Sequence, residues 1–255
     1  MFTFDIFTPS FCTELVQLID AFEATDLPRR RPNTMNNYGL VLTEIGLSSF
    51  AHSLVQSIVG PLTRRLFSDE IFATSLDAQH TFCVEYKAEE LGDGDRNLDM
   101  HHDAAEVTLN VCLGRGVFEA SGLQFCGRFG ARNHRGDQLR LKHKVGQAVM
   151  HLGRHRHGAD DIAKGERINL IVWARSTSFR AAAAYGHVPP DGYPKELGEG
   201  SVDRVCLSRA NDADYEEKVR IFDGGVAEGE GKRKFTPFVA PAKTCAMKKK
   251  GGIAF

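Results

Sequence analysis

Net charge is nearly absent from this sequence: 32 lysines and arginines against 33 acidic residues leave a formal charge of −1 and a pI near 6.8. No overall field therefore draws the chain to nucleic acid or to a membrane surface, and any such contact has to be local. Long hydrophobic runs are missing too, since no window approaches the roughly 18 consecutive apolar residues of a membrane span. The six cysteines (Cys12, Cys83, Cys112, Cys126, Cys206 and Cys245) lack a CxxC pair and any regular spacing. That excludes a zinc module or small disulfide framework and predicts free thiols in a reducing compartment. The opening MFTFDIFTPSF has neither a basic n-region nor a long apolar stretch, so the expectation is a cytoplasmic or nuclear protein without a secretory leader. Internal repeats are absent as well.

What is present is an ordinary globular composition, 42% hydrophobic and 25% charged over 255 residues, enough for a substantial core. Phe2, Phe4 and Ile6 alternate with Thr3, Asp5 and Phe7, the period of a short strand. Ser10 can then N-cap a helix to about Glu23, with Leu15, Leu18, Ile19 and Phe22 on one face. Asp26 to Tyr38 carries two prolines, three arginines and three asparagines and predicts a loop. A second helical pattern fills about Leu47 to Phe67, interrupted by Gly60-Pro61. From Thr81 to about Arg175 the texture changes to short apolar runs divided by turn residues: TFCVEY, VTLNVCL, LQFC, LRLKHKV, QAVMHL and RINLIVW. Only strands fit runs so short, so an α+β chain with a β-sandwich or jelly-roll core is expected. The expected organisation is an N-terminal strand and helical buttress over residues 1–79, packed on a core over 80–180. A C-terminal extension over 181–255 would end in the basic KKKGGIAF tail, poorly anchored beyond about Gly224.

His101-His102-Asp103 forms an HxD triplet, which ten histidines and many aspartates could produce by chance. The strand after it adds weight, because in VTLNVCL the residues Thr108, Asn110 and Cys112 share one face and Leu109, Val111 and Leu113 the other. One face can line a polar pocket. His157 follows at a turn-like HGADD, and Arg167 stands ten residues later at the start of a strand, the reach of one hairpin. Two histidines and a carboxylate hold one face of a non-haem Fe(II) and leave positions for a bidentate oxo acid and dioxygen. HxD would sit at one strand end, with the later histidine on a facing strand. An arginine on the next strand can meet a distal carboxylate through paired, charge-assisted hydrogen bonds. His155 shares a strand face with His157 and stays an alternative, and His151, closing an apolar run, reads as a hydrogen-bonded structural histidine. The glycine after His157 and the interval to Arg167 favour His157.

Taken together, HHDAAEVTLNVCLG, SGLQF, HLGRHRHG and GERINLIVW resemble the prolyl and lysyl hydroxylase branch of the Fe(II)- and 2-oxoglutarate-dependent oxygenases. RPNTMNNYGLVLTEIG and VCLSRANDADY extend the likeness to a little-characterised eukaryotic subgroup of iron- and 2-oxoglutarate-dependent oxygenase domain proteins. The resemblance implies a double-stranded β-helix with His101, Asp103 and His157 on Fe(II) and Arg167 on 2-oxoglutarate. Tyr86 and Thr108 match positions that line the cosubstrate pocket, whereas Cys112 stands where related enzymes often carry a tyrosine that touches the cosubstrate. The implied activity is hydroxylation of a C–H bond of a peptidyl proline or lysine, with ascorbate as a possible reductant and a protein or peptide as partner. Two other readings stand beside it. Oxygenases of the AlkB type share HxD and RxN (Arg167, Asn169) and act on nucleic acid, but Trp173 stands where they add an arginine. A binding module on the same fold, without turnover, is the third.

Overall fold

The computed structural model describes residues 1–68, 71, 76–126, 139–153 and 155–181. The expected C-terminal extension and basic tail lie outside them. The chain opens with β1 (Phe2–Asp5) and α1 (Pro9–Glu23). The cap of α1 is Thr8 rather than Ser10: its Oγ1 accepts from the Phe11 amide at 3.2 Å, and Pro9 fills the first helical position, where no N–H is needed. The buried face is Cys12, Leu15, Val16 and Ile19, and Leu18 points to solvent instead of joining it.

After the predicted loop come β2 (Gly39–Val41), a 3-10 turn, and then α2 (Ser48–Leu54) and α3 (Gly60–Leu66). A π-turn over Val55–Val59 joins the two helices, with the Gly60 amide donating to the Val55 carbonyl. Pro61 would crowd the carbonyl four residues back in a regular helix, and the wider turn just before it absorbs the extra room. The pattern thus continues past Gly60-Pro61 where the sequence predicts an interruption.

The remaining strands are β3 (Ala78–Lys87), β4 (Leu98–His101), β5 (Val107–Cys112), β6 (Arg115–Ala120), β7 (Leu123–Phe125), β8 (Leu139–Leu141), β9 (Gln147–Leu152), β10 (His157–Ala159) and β11 (Ile162–Arg175), followed by α4 (Thr177–Ala181). One seven-stranded sheet runs β1-β9-β5-β11-β3-β2 with β6 on the far end of β11, and a four-stranded sheet runs β4-β10-β7-β8. Every pairing is antiparallel. This is a double-stranded β-helix flanked by helices, the jelly roll that the short apolar runs predict.

Strict alternation along the large sheet separates two cores. Val107, Leu109 and Val111 of β5, Ala148 and Met150 of β9, and Ile168, Leu170 and Val172 of β11 pack against the helices. Facing the small sheet instead are Phe82, Val84 and Tyr86 of β3, Val149 and Ile171, which meet Leu123, Phe125 and Ala159. Burial on both faces is why β5 is apolar at some positions and polar at others yet wholly buried. The hairpin expected between His157 and Arg167 does not form, because β10 and β11 belong to different sheets. β11 also starts at Ile162, before the predicted Lys-Gly-Glu turn. Gly165 (φ +73) serves as a bulge there, where a Cβ would lie 2.1 Å from the Val117 carbonyl oxygen of β6.

Cys12, Cys83 and Cys112 are buried free thiols, as expected. Cys126 departs from that expectation: it is disulfide-bonded. No helix among the described residues is long and apolar enough to cross a membrane.

Candidate active site

His101 closes β4 and His157 opens β10, and the two are directly paired across the small sheet. The second histidine thus sits on the hydrogen-bonded neighbour of the HxD strand rather than on a facing one. Gly158 permits that approach, since a Cβ there would meet the Leu98 carbonyl oxygen at 2.7 Å. Asp103, two residues past His101, turns its carboxylate between the rings: His101 Nε2 is 3.3 Å from Oδ1 and His157 Nε2 is 3.5 Å from Oδ2. One ligand atom from each of the three lies within 4.8 Å of the others.

Both imidazoles have their tautomer set from behind. Nδ1 of His101 donates to the Asp99 carbonyl at 2.7 Å and Nδ1 of His157 to the His155 carbonyl at 2.9 Å. Each Nε2 is left as a lone pair aimed inward, the form that binds a metal. Burial pushes His157 well below its ordinary value against the pull of Asp103, so the ring is neutral. Asp103 is buried, which alone would raise it, but His157 and His101 hold the carboxyl well below the usual carboxylate range. Thr108 Oγ1 donates to Asp103 Oδ2 at 2.5 Å and so orients the carboxylate. Two imidazole nitrogens and one ionised carboxylate oxygen on one side of a cavity fit Fe(II). His155 points elsewhere, with its Nε2 on the Cys126 carbonyl.

The cavity beside these three residues measures about 370 Å³ and is walled by Tyr86, Leu98, Thr108, Asn110, Ile171 and Trp173, among others. Tyr86 also borders a second cavity of about 510 Å³, and Arg167 lines that one rather than the first. The guanidinium of Arg167 lies over the Tyr86 ring, 4.9 Å from its centroid. Arg167 is completely buried, its Nη1 donates to the Ser121 carbonyl, and its Nε and Nη2 have no hydrogen-bond partner. An unpaired, buried pair of cationic N–H groups is what a carboxylate would complete. Burial pushes the Tyr86 hydroxyl up to about 12, so it keeps its proton. The structure therefore brings His101, Asp103, His157 and Thr108 together, and sets Arg167 and Tyr86 as a stacked pair adjoining them.

Several further residues, among them His151 and Asn169, which the sequence reading weighed in other roles, lie close to this set. His151 is fully buried with its ring 4.3 Å from that of His157. Its Nδ1 donates to the Leu152 carbonyl, but its Nε2, 3.9 Å from Asp103 Oδ2, is unpaired, and burial lowers it to about 4. Asn169 Nδ2 donates to Asn110 Oδ1 at 2.7 Å and approaches Nδ1 of His143, which burial and Arg167 keep neutral, at about 3. Asn36 lines the first cavity from the 26–38 loop. Its backbone is held by Asn33 and Arg31, while its Nδ2 is unpaired. An asparagine in a polar loop gives no signal in sequence that it is buried.

A jelly roll carrying two histidines, one carboxylate and a buried, partly unpaired arginine defines the site type of the non-haem iron, 2-oxo acid-dependent oxygenases. The sequence comparisons agree. Residues 1–71 match the model of the OGFOD2-like domain. The chain is 39% identical over 194 residues to the 2-oxoglutarate and iron-dependent oxygenase domain-containing protein ICU11 of Arabidopsis thaliana, covering 72% of this chain and 47% of that protein. It is 40% identical over 176 residues to the 2-oxoglutarate and iron-dependent oxygenase domain-containing protein 2 of Homo sapiens, covering 69% and 49%. The human procollagen-lysine,2-oxoglutarate 5-dioxygenase 1 is 28% identical over 178 residues, 66% of this chain and 23% of that one. A prolyl-4-hydroxylase structure from Pseudomonas putida overlays with a TM-score of 0.48 at 13% identity, over 69% of this chain and 92% of that one. That overlay is too slight to argue from, and the fold rests on the strand pairings. These findings place the chain in the Fe(II)- and 2-oxoglutarate-dependent oxygenase superfamily, close to the 2-oxoglutarate and iron-dependent oxygenase domain-containing proteins. The chain spans about half the length of the curated relatives it matches.

Proposed function

We propose that the chain is a dioxygenase that couples decarboxylation of 2-oxoglutarate to hydroxylation of a C–H bond in a peptidyl proline or lysine, releasing succinate and carbon dioxide. The observation that carries the reading is the convergence of three ligand atoms within 4.8 Å of one another near a buried arginine that has two unpaired N–H groups. His101, Asp103 and His157 would hold Fe(II), and Arg167 would hold the distal carboxylate of 2-oxoglutarate. Iron with its oxo acid supplies dioxygen activation when bound.

The protein's own contribution is orientation and exclusion of water. Carbonyls of Asp99 and His155 fix the two rings, Thr108 fixes the carboxylate, and the Tyr86 ring covers the guanidinium. The apolar walls Leu98, Leu123 and Ile171 keep the cavity dry around the reacting carbon. For the peptidyl target the support is the likeness to a relative named as a procollagen-lysine dioxygenase. Ascorbate would act as an external reductant that returns the iron to Fe(II).

Anaerobic addition of Fe(II) and 2-oxoglutarate should give a metal-to-ligand charge-transfer band, and admission of air should release succinate. His101→Ala should abolish both. Mass spectrometry of proline- and lysine-bearing peptides should then show a gain of one oxygen. A band and succinate with no peptide product would move the substrate to another class, and the absence of both signals would favour a binding module.

A further inference from the structure

In the PNTMNNY segment hydrophobic sorting is inverted. Met35 is 40% exposed, whereas its neighbour Asn36 is 1% exposed and lines the cavity beside the histidines. A loop folded only to bury apolar area would do the reverse, and a buried amide costs free energy unless its polar atoms are paired. Oδ1 of Asn36 is paired, accepting from Nδ2 of Asn33 at 2.9 Å. Nδ2 of Asn36 is not: the Tyr86 hydroxyl faces it without closing a hydrogen bond to it.

The rest of the segment holds this amide still. Asn33 Oδ1 accepts from the Met35 and Asn36 amides at 2.8 and 2.7 Å, and Arg31 Nε donates to the Asn36 carbonyl at 3.0 Å. From the large sheet, His80 Nε2 donates to the Pro32 carbonyl at 2.8 Å. Asp95, between β3 and β4, accepts from the Asn37 amide at 2.7 Å and from Asn37 Nδ2 at 2.8 Å. A chain fixed on both sides of one residue, with that residue's NH2 group unpaired on a cavity wall, is a donor set in place before its acceptor arrives.

The surroundings say which acceptor fits. Carboxylates and phosphates are matched by guanidinium or ammonium groups, and no lysine or arginine is among the described residues walling this cavity. Arg167 lines the other one. A neutral amide donor suits a neutral carbonyl, and Phe82, Leu98, Ile171 and Trp173 give the same cavity an apolar wall for an aliphatic side chain. A peptide presents both features together.

We propose that Asn36 is a specificity residue whose Nδ2 donates to a backbone carbonyl of the peptide whose aliphatic side chain enters the iron-side cavity, with residues 31–37 braced to hold that donor. The inference rests on the function proposed above and adds to it a contact with the peptide main chain.

The test uses the full chain with Mn(II) in place of iron and saturating 2-oxoglutarate, so that binding is read without turnover. The probes are end-blocked pentapeptides with a central proline or lysine, followed by calorimetry and by quenching of Trp173, the single tryptophan, on the wall of the same cavity. Asn36→Asp keeps the acceptor that Asn33 uses and removes the donor, and Asn36→Ala removes both. Each should weaken the bound peptide about ten-fold, the loss of one buried hydrogen bond, with 2-oxoglutarate affinity within about two-fold of the starting protein. Unchanged peptide affinity in both variants would overturn the proposal. Equal weakening of peptide and 2-oxoglutarate would also overturn it, making Asn36 a support for Tyr86 rather than a peptide contact. Binding of 2-oxoglutarate but of none of the peptides by the unaltered protein would overturn the peptide reading itself, a result distinct from tight peptide binding that the two variants leave untouched.

Discussion

Two arginines, the partly exposed Arg115 and the fully buried Arg167, enter the same fold with different surroundings. The terminal nitrogens of Arg115 reach four carboxylates: Nη2 lies 2.5 Å from Asp20 and 2.8 Å from Glu23, and Nη1 lies 3.3 Å from Glu85 and 3.5 Å from Glu166. Those charges tie α1 to β3, β6 and β11, and they raise Arg115 above its ordinary value despite burial. Arg167 meets one backbone carbonyl and an aromatic face, and burial lowers it. Arg115 also leaves its Nε unpaired, but both its terminal nitrogens are spent on protein carboxyl groups and serve the fold, whereas Arg167 leaves Nε and Nη2 open to a ligand.

The strongest way to break this contrast is to remove each arginine in turn. Arg167→Met should weaken 2-oxoglutarate roughly 100-fold, about 2.7 kcal/mol, by loss of paired charge-assisted bonds, while the melting temperature holds or rises because a poorly paired buried charge is gone. Calorimetric titration beside a thermal melt checks both halves. Arg115→Met should do the reverse, lowering unfolding free energy by roughly 2 kcal/mol, since four acids then face one another, with 2-oxoglutarate affinity within two-fold of the starting protein. A matched loss of affinity and stability in either variant would erase the distinction.

A finer probe uses pH. Burial and the neighbouring Glu23 push Glu85 up to about 8, so the folded chain holds a proton there that the unfolded chain releases near its ordinary value of 4.5. The folded state binds more protons between those two values, so this group's contribution to stability falls as pH rises from about 4.5 to 8. Glu85→Gln should flatten that fall in urea midpoints measured at pH 5, 6.5 and 8, and an unchanged slope would mean that the proton sits elsewhere. Smallest of all, Thr8→Ala should remove about 1 kcal/mol by uncapping α1 without altering either arginine's behaviour.

The sheet was legible in sequence where strands are buried on at least one face and long enough to show a period. Each of the six apolar runs from TFCVEY to RINLIVW contains a strand, although in LRLKHKV it covers only Leu139–Leu141. β2, β4, β6 and β10 were not legible, for physical reasons. β2 and β10 are three residues each, β4 is a polar LDMH, and β6 lies at the sheet edge with a mostly exposed RGVFEA. Two of those four carry the histidines, so HxD and His157 could be recognised only as a set, through spacing and resemblance. The hydroxyl of Thr108 was legible because it falls on the polar face of an alternating strand. Ser121 was not, because a serine after alanine in a turn gives no sign of its backbone angles, whereas His151, closing an apolar run, was legible as a buried hydrogen-bonded histidine.

β11 also limits how this sequence can change its length. Along one uninterrupted strand, Arg167, Asn169, Ile171 and Trp173 face inward while Ile168, Leu170 and Val172 face the helices. Inserting or deleting a single residue there would exchange the two sets at a stroke, driving a guanidinium into the helical core and leucine into the cavity beside the histidines. Insertions in this stretch are viable only in pairs or beside Gly165, where the ladder with β6 already slips. The strand behaves as a reading frame in three dimensions, and the bulge is the one place where that frame is already broken.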